Sequence, residues 1–474
     1  MQNNIILIMA DQFRADCMGY AGNRQIVTPY LDDLAASGCF FERGYSNCPV
    51  CVPARACLLT GMKPSNTGFF NNDFSVCWNY EHTLVQQLQR SGYQTINVGK
   101  NHFKPQRAKL GYEINLLYEP KNSEEGVPSE YHAWLASQQG SQQEDTARKY
   151  NRNAWTVLPW TGPSELHPSE WTTSTAIDQL QRRDPTRPFF LKVSFHRPHP
   201  PLDPPLHMWD LYKDAELDEP AIGDWAPEFD KETQCLIPFE GKIPPEHLRR
   251  AKRAYYAQIT HIDSQIGRLT DYLKERKLFE STTIFFVADH GEMLGDHHMF
   301  RKGPPYEGSA HIPFIVKFAK QSTAKRFNGH RIAMPVSLLD VMPTCLEIAG
   351  VQNAAKADGE SLLQLLEKPD RRESIMGECY RSNQLVTAGG MFVVTERYKY
   401  VWDSWKGEEH LFDLQEDPRE LKDLANEERL QLLVLHFRQA VIDEYKTRPQ
   451  DDMLDEENHL RTGKVLPHYR KPVG

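Results

Sequence analysis

Ile5-Ile6-Leu7-Ile8-Met9-Ala10-Asp11-Gln12 is the stretch on which the fold turns. Six consecutive apolar residues end on a carboxylate and an amide, which reads as a strand buried on both faces with a polar end. The runs Thr95 to Val98, Phe189 to Phe195, Thr283 to Ala288 and Pro313 to Phe318 have the same texture. Helical patterns lie between them. Leu84 to Arg90 stops before Gly92, and Tyr255, Ile259, Ile262, Ile266, Leu269 and Leu273 recur at helical spacing. Strand alternating with helix gives an α/β class with a mostly parallel sheet sandwiched by helices.

Polar residues gather just past the ends of four of these strands: Asp11-Gln12, Lys100 with His102, His196 with His199, and Asp289-His290. Ligands of open parallel sheets sit at the carboxyl ends of the strands, so the pattern predicts one convergent site. Taken singly, each residue has a plainer role as a helix cap, a solvated lysine or a core histidine. Asp11, Gln12, Asp289 and His290 together offer two carboxylates, an amide oxygen and an imidazole. That set suits one divalent cation, calcium or manganese rather than zinc.

The 474 residues carry 55 Lys+Arg against 64 Asp+Glu, a net charge of −9 without long runs of one sign. This argues against a nucleic-acid partner and requires any anion site to supply its own local cations. The apolar start is too short for a membrane helix and has no basic flank, so no membrane association is expected. Nine scattered cysteines do not form a disulfide framework. Both features favour a cytoplasmic protein, or a periplasmic or secreted one if a leader has been removed; the oligomeric state is left open.

Two segments, roughly 105 to 170 and 200 to 248, are rich in Pro, Trp, Tyr and acidic residues and have little periodicity, as expected of substrate walls or surface insertions. Their Trp155, Trp160, Trp171, Trp209 and Trp225 are read equally as stacking platforms for a sugar or aryl ring and as core anchors. Beyond Gly359 the texture changes. A hairpin-like run from Gln384 to Trp402 and a helix striped by Leu430, Val434, Phe437, Val441 and Tyr445 place a boundary near residue 370, dividing 1–370 from a smaller α+β unit, 371–474.

Cys48-Pro49-Val50-Cys51 reads as a CxxC pair suited to zinc or thiol exchange, though no second CxxC exists to complete a four-thiolate site. Cys51-Val52-Pro53-Ala54-Arg55-Ala56-Cys57-Leu58-Leu59-Thr60-Gly61, however, resembles the C-x-P-x-R-x-x-x-L-T-G signature of the formylglycine-dependent sulfatases. The resemblance continues in family order through Thr28-Pro29-Tyr30-Leu31-Asp32, Gly99-Lys100-Asn101-His102-Phe103, Pro198-His199-Pro200-Pro201, Ala288-Asp289-His290-Gly291-Glu292, Tyr306-Glu307-Gly308-Ser309, Asp340 with Pro343-Thr344, and Leu411-Phe412-Asp413-Leu414. It implies an alkaline-phosphatase-like fold with a small C-terminal subdomain, and hydrolysis of a sulfate monoester. A sulfated saccharide is the preferred substrate, with aryl or alkyl sulfates beside it.

The resemblance further implies that Cys51 is oxidised to formylglycine by a formylglycine-generating or anaerobic sulfatase-maturating enzyme. A hydroxyl of the hydrated aldehyde would attack sulfur while joining Asp11, Gln12, Asp289 and His290 around the metal, and the second hydroxyl would expel sulfate. Arg55, on a helix starting near Pro53, would hold the hydrate, and His102 would bond to it or assist its collapse. Lys100 and Lys302 would bind the sulfuryl oxygens, and His199 would protonate the leaving alcohol. His196, His297, His298 and His311 are read as pocket or structural residues. Many sulfatases have Asp at the position of Gln12 and Asn at that of His290; the pairs seen here are similar to choline sulfatases and to formylglycine-using phosphonate monoester and phosphodiester hydrolases. A phosphonate or phosphodiester hydrolase is therefore the alternative activity. An inactive anion-binding relative would lack Cys51 or the metal ligands, all of which are present.

Overall fold

In the computed structural model, which describes residues 3–119, 128–138, 153–235, 237–351, 357–382, 387–464 and 469–471, the Asn4–Asp11 strand runs through the middle of an eight-stranded sheet. The strands lie in the order Ile114–Leu117, Gln94–Gly99, Phe189–Pro198, Asn4–Asp11, Thr282–Ala288, Phe314–Lys317, Cys39–Phe41, Arg331–Ile332. The first five pair in parallel, Ile8 facing Val193 on one side and Phe286 on the other. Leu7, Val193 and Phe285 are fully buried, which is why these strands read as unbroken apolar runs. Helices including Pro168–Arg182 and the long Pro245–Glu275 cover the sheet, the latter through Tyr255, Ile259, Ile262, Ile266, Leu269 and Leu273.

One strand departs from the parallel expectation: Phe314–Lys317, within the run Pro313 to Phe318, is antiparallel to both neighbours. Between Ala288 and Phe314 the chain makes only single turns of helix, Asp296–His298 and Glu307–Ala310, too little for a crossover back to the far end of the sheet. The chain therefore returns in the opposite sense.

A second sheet of four antiparallel strands follows, Ser374–Ser382, Thr387–Thr395, Tyr398–Asp403 and Glu409–Asp413. The expected hairpin is its middle pair, with Gln384 to Val386 outside the described residues; the strand Ser374–Ser382 escaped the sequence reading. Helix Gln431–Lys446 lays Val434, Phe437, Val441 and Tyr445 onto Met391, Val393, Tyr400 and Trp402. The two sheets meet at a buried charge cluster. Lys399 Nζ lies 2.9 Å from Glu307 Oε1 and 2.9 Å from Glu420 Oε1, while the Tyr45 hydroxyl donates to Glu307 at 2.9 Å and the Glu307 N–H to Glu420 at 2.7 Å. Burial pushes Glu420 up to about 7 against the pull of Lys399, whereas Lys399 and His311 overcome burial at Glu307 and hold it well below the usual carboxylate range.

The tryptophans of the long segments are largely anchors. Trp155, Trp160 and Trp171 are buried, packed edge-on against Phe300, His167 and Tyr131; Trp225 lies over Tyr306 at 4.3 Å and donates to Glu420 O at 2.7 Å. Trp209 is half-buried under Arg250. Among the described residues no helix is long and apolar enough to cross a membrane.

Candidate functional site

The carboxyl ends of the central strands converge. Between the Asn4 and Phe189 strands the register steps from Ala10↔Phe195 to Asp11↔Pro198, and this irregularity brings the His199 N–H to the Asp11 carbonyl at 3.1 Å. Gly99 turns the neighbouring strand toward the site at φ 105°, with its α-carbon so close to Ser194 that a Cβ would lie 2.0 Å from that carbonyl oxygen. No side chain fits there, and Lys100 and His102 follow at once.

Helix Cys51–Thr60 points its first residue at the same place. It starts two residues before Pro53, earlier than the sequence suggested, because Pro is accommodated within the first turn of a helix where its missing N–H has no partner to lose. Cys51 Sγ lies 3.1 Å from His290 Nε2. His290 Nδ1 donates to the Gly291 carbonyl at 2.8 Å, which leaves Nε2 as the acceptor, 3.7 Å from both Asp11 Oδ1 and Asp289 Oδ1. Ligand atoms of Asp11, Cys51, Asp289 and His290 all lie within 4.8 Å of one another, and Asp11 Oδ1 is buried without a hydrogen-bond partner. Two carboxylates, an imidazole with its lone pair inward and an orphaned oxygen fit a divalent cation.

The other carboxylate oxygens are committed. Asp289 Oδ2 accepts from Arg55 Nε at 2.8 Å, and Oδ1 from the N–H groups of Gln12 and His290 at 3.1 and 3.0 Å. Asp11 Oδ2 is shared by Lys100 Nζ and Arg55, the latter at 3.2 Å. Arg55 also donates to Lys100 O and Ser194 Oγ, so the guanidinium braces the carboxylates and the strand ends. Gln12 gives its amide N–H to Glu292 and accepts Lys302 Nζ on Oε1 at 2.8 Å. The sequence-predicted set Asp11, Gln12, Cys51, Arg55, Lys100, Asp289, His290 and Lys302 thus forms one linked network.

His199 and His102 border it. The His199 ring is 4.8 Å from that of His196, and its Nδ1 donates to Pro200 O at 2.7 Å, leaving Nε2 for proton exchange. His102 has a positive φ of 64°, donates its N–H to Glu119 at 2.7 Å and keeps a buried Nδ1 without a partner. His196 is tied to Arg197, His297 is buried beside Trp225, and His311 pairs with Glu307 at 2.8 Å. These three act as supports, while His298 is only partly buried. Cys48 turns away toward Phe70 O, and all nine cysteines are unpaired, so the CxxC reading finds no support.

Burial favours neutral acids, yet Lys100, His199 and Arg55 hold Asp11 well below the usual range. Burial and Asp11 raise the Cys51 thiol, but Lys302, His290 and Lys100 bring it below its ordinary value. Burial and Lys302 push His199 well below the imidazole range, and burial with Lys100 does the same to His102.

Sequence reasoning gave no role to Glu292 and Glu119, which shape the loops. Glu292 holds Gln12 and the backbone N–H groups of Leu294 and Arg301; Glu119 holds those of Asn101 and His102 at 2.8 and 2.7 Å. Carboxylates that grip backbone N–H groups leave no spacing signal.

The sulfatase family model matches residues 3–351, and the model described as "N-sulphoglucosamine sulphohydrolase, C-terminal" matches 295–447. An arylsulfatase of Clostridium perfringens (strain 13 / Type A) is 38% identical over 487 aligned residues, covering 99% of this chain and 98% of the relative. The crystal structure of a phosphonate monoester hydrolase of Agrobacterium radiobacter superposes with a TM-score of 0.79 at 22% identity, over 96% of this chain and 99% of the other. A structure in complex with its substrate D-glucosamine-2-N,6-O-disulfate superposes at 0.73 and 21% identity, over 94% and 99%.

Proposed function

This chain belongs to the sulfatase family and hydrolyses sulfate esters, and from that premise we propose how its own residues carry out the reaction. The observation that carries the proposal is the junction of Cys51, Asp11, Asp289 and His290 at the N-terminus of a buried helix. Asp11, Asp289 and His290, with Gln12 beside them, hold a divalent cation, calcium or manganese. When bound, it would supply Lewis acidity to the reaction. Cys51 is the precursor of formylglycine, whose hydrate would supply one oxygen to sulfur as the ester S–O bond to the alcohol breaks, and a second hydroxyl that, on losing its proton, would expel sulfate and restore the aldehyde.

The remaining steps belong to side chains present here. Lys100 and Lys302 bind the sulfuryl oxygens and stabilise charge in the transition state, in a site too buried for water to screen them. Arg55 keeps Asp11 and Asp289 in place. His102 orients the residue at position 51. His199 delivers a proton from Nε2 to the departing alkoxide; its low proton affinity rises when a bound sulfuryl anion offsets Lys302 and Lys100. An acid at this point matters most for poorly acidic alcohols, which favours a sulfated saccharide over an aryl sulfate as the natural substrate class.

Peptide mass spectrometry across residue 51, with turnover of 4-nitrophenyl sulfate, tests the reading. Aldehyde at position 51 and loss of turnover in Cys51→Ala without loss of fold are expected. Full activity from an unmodified thiol, or equal loss in Cys48→Ala, refutes it. The phosphonate alternative is measured by matched aryl phosphonates, which should turn over more slowly.

A further inference from the structure

Arg301, next to Lys302 and half-buried, stands apart from the buried arginines. Arg14, Arg55, Arg197 and Arg448 are each paired with a carboxylate. The Arg301 guanidinium makes no hydrogen bond or ion pair with any described residue, and its Nε is buried without a partner. Glu292 is turned to Gln12 and to the N–H groups of Leu294 and Arg301 itself, and makes no hydrogen bond with the Arg301 guanidinium. The guanidinium is nevertheless held in place. It lies over the Phe239 ring at 3.9 Å, its backbone is fixed at φ 67° by the Glu292 contact, and Phe300 N–H donates to Phe239 O at 2.9 Å. A partly buried cation with fixed orientation and free donors is costly unless a ligand completes it.

Beyond Phe300, whose ring meets Trp155 at 5.0 Å, lies a cleft of about 350 Å³ lined by Trp155, Gln234, Cys235, Ile243, His247 and Arg250, among others. Trp155 joins it to the Arg301 loop through its edge contact with Phe300. On a chain of net charge −9, the described lining holds no Asp or Glu. The cleft thus approaches, through Trp155 and Phe300, the loop that carries both the unpaired guanidinium and the sulfuryl-binding lysine.

Building on the sulfate-ester reading, we propose that Arg301 is a specificity residue that binds a second oxyanion, a carboxylate or a further sulfate, on the alcohol portion of the substrate, and that the adjoining cleft receives that portion. The enzyme then prefers polyanionic sulfate esters to neutral or cationic ones. Two N–H donors on a planar fork match either oxyanion.

The test is a series of aryl sulfates with matched leaving-group acidity, bearing a carboxylate, a sulfonate in place of a second sulfate, a carboxamide or a trimethylammonium group. Wild-type kcat/KM should favour the anionic members over the carboxamide by about tenfold or more, the range of a charge-assisted contact, with the cationic member last. Arg301→Gln should collapse that ratio, and Arg301→Lys should restore part of it; the carboxylate and sulfonate arms show which oxyanion is read. Equilibrium binding of the series to Cys51→Ala gives the same ranking without turnover. Absence of hydrolysis across the series with charge-ranked binding intact would refute the sulfate-ester reading alone. A wild type indifferent to substrate charge, or an Arg301→Gln variant that loses the same factor on every member, would overturn the proposal.

Discussion

Two buried charge clusters in this molecule use the same ingredients in opposite proportion. At the strand ends, Arg55, Lys100 and Lys302, joined by the divalent cation proposed there, outweigh the buried carboxylates Asp11, Asp289 and Glu292, and one Asp11 oxygen has no protein partner. At the joint between the sheets, Glu307 and Glu420 share the single Lys399, with His311 set against Glu307 alone. Burial penalises either imbalance, so each cluster must be completed from outside. An excess of positive charge is completed by an anion and calls for a substrate. An excess of negative charge is completed by a proton and calls for nothing but water, which suits a joint.

Asp11→Asn probes the first cluster most severely. It should remove the bound calcium or manganese, measured as about one ion per chain by elemental analysis, and lower turnover by roughly a thousandfold or more, as expected when a Lewis acid is lost. Full activity after exhaustive chelation would break the comparison at its root. His199→Ala comes next. Loss of a general acid should slow sulfates of sugars by about 10²–10⁴-fold while hardly touching those of acidic phenols, and equal slowing would make this His a sulfate-positioning group instead.

Perturbing the joint should move stability rather than chemistry. Lys399→Met removes the only lysine from both buried carboxylates, leaving Glu307 to His311 and Tyr45 and Glu420 to a backbone N–H, and should cost about 3–5 kcal/mol in denaturant unfolding, with kcat per folded molecule preserved. The smallest effect is a slope. Because the folded Glu420 titrates near 7, above the ordinary carboxylate value, its contribution is fully present at low pH and is lost as pH rises toward 7. Glu420→Gln should flatten that decline in a thermal-melt series from pH 5 to 8, and an unchanged slope would place the titration elsewhere.

How far the sequence foretold this depends on what a residue does. Strands such as Ile5 to Met9 announced themselves because both faces are buried, and the residues after them converged because parallel strands share one end. Ser374–Ser382 stayed hidden: Gly377, Glu378 and Arg381 break the alternation, and the strand is defined by its partner Thr387–Thr395. The antiparallel turn of Phe314–Lys317 depends on what the connection lacks, which an apolar run does not record. In the site, residues placed by backbone position were legible. Arg301 was not, because its meaning lies in the partners it does not have.

The helix that carries Cys51 is buried over all ten of its residues, and Cys51 itself is only 1% exposed. Read as a matter of time, this sets a schedule. Under the proposed conversion of Cys51, a modifying enzyme would need access to a residue that the finished fold buries. His290, which closes over that thiol, follows 239 residues later in the chain. At synthesis rates of about 5–20 residues per second, that separation opens an interval on the order of ten to fifty seconds between the emergence of the cysteine and that of its lid. On the proposed reading, in which Cys51 is converted, the conversion competes with folding during that interval, so slower translation between the two positions should raise the fraction of active molecules without any change in sequence.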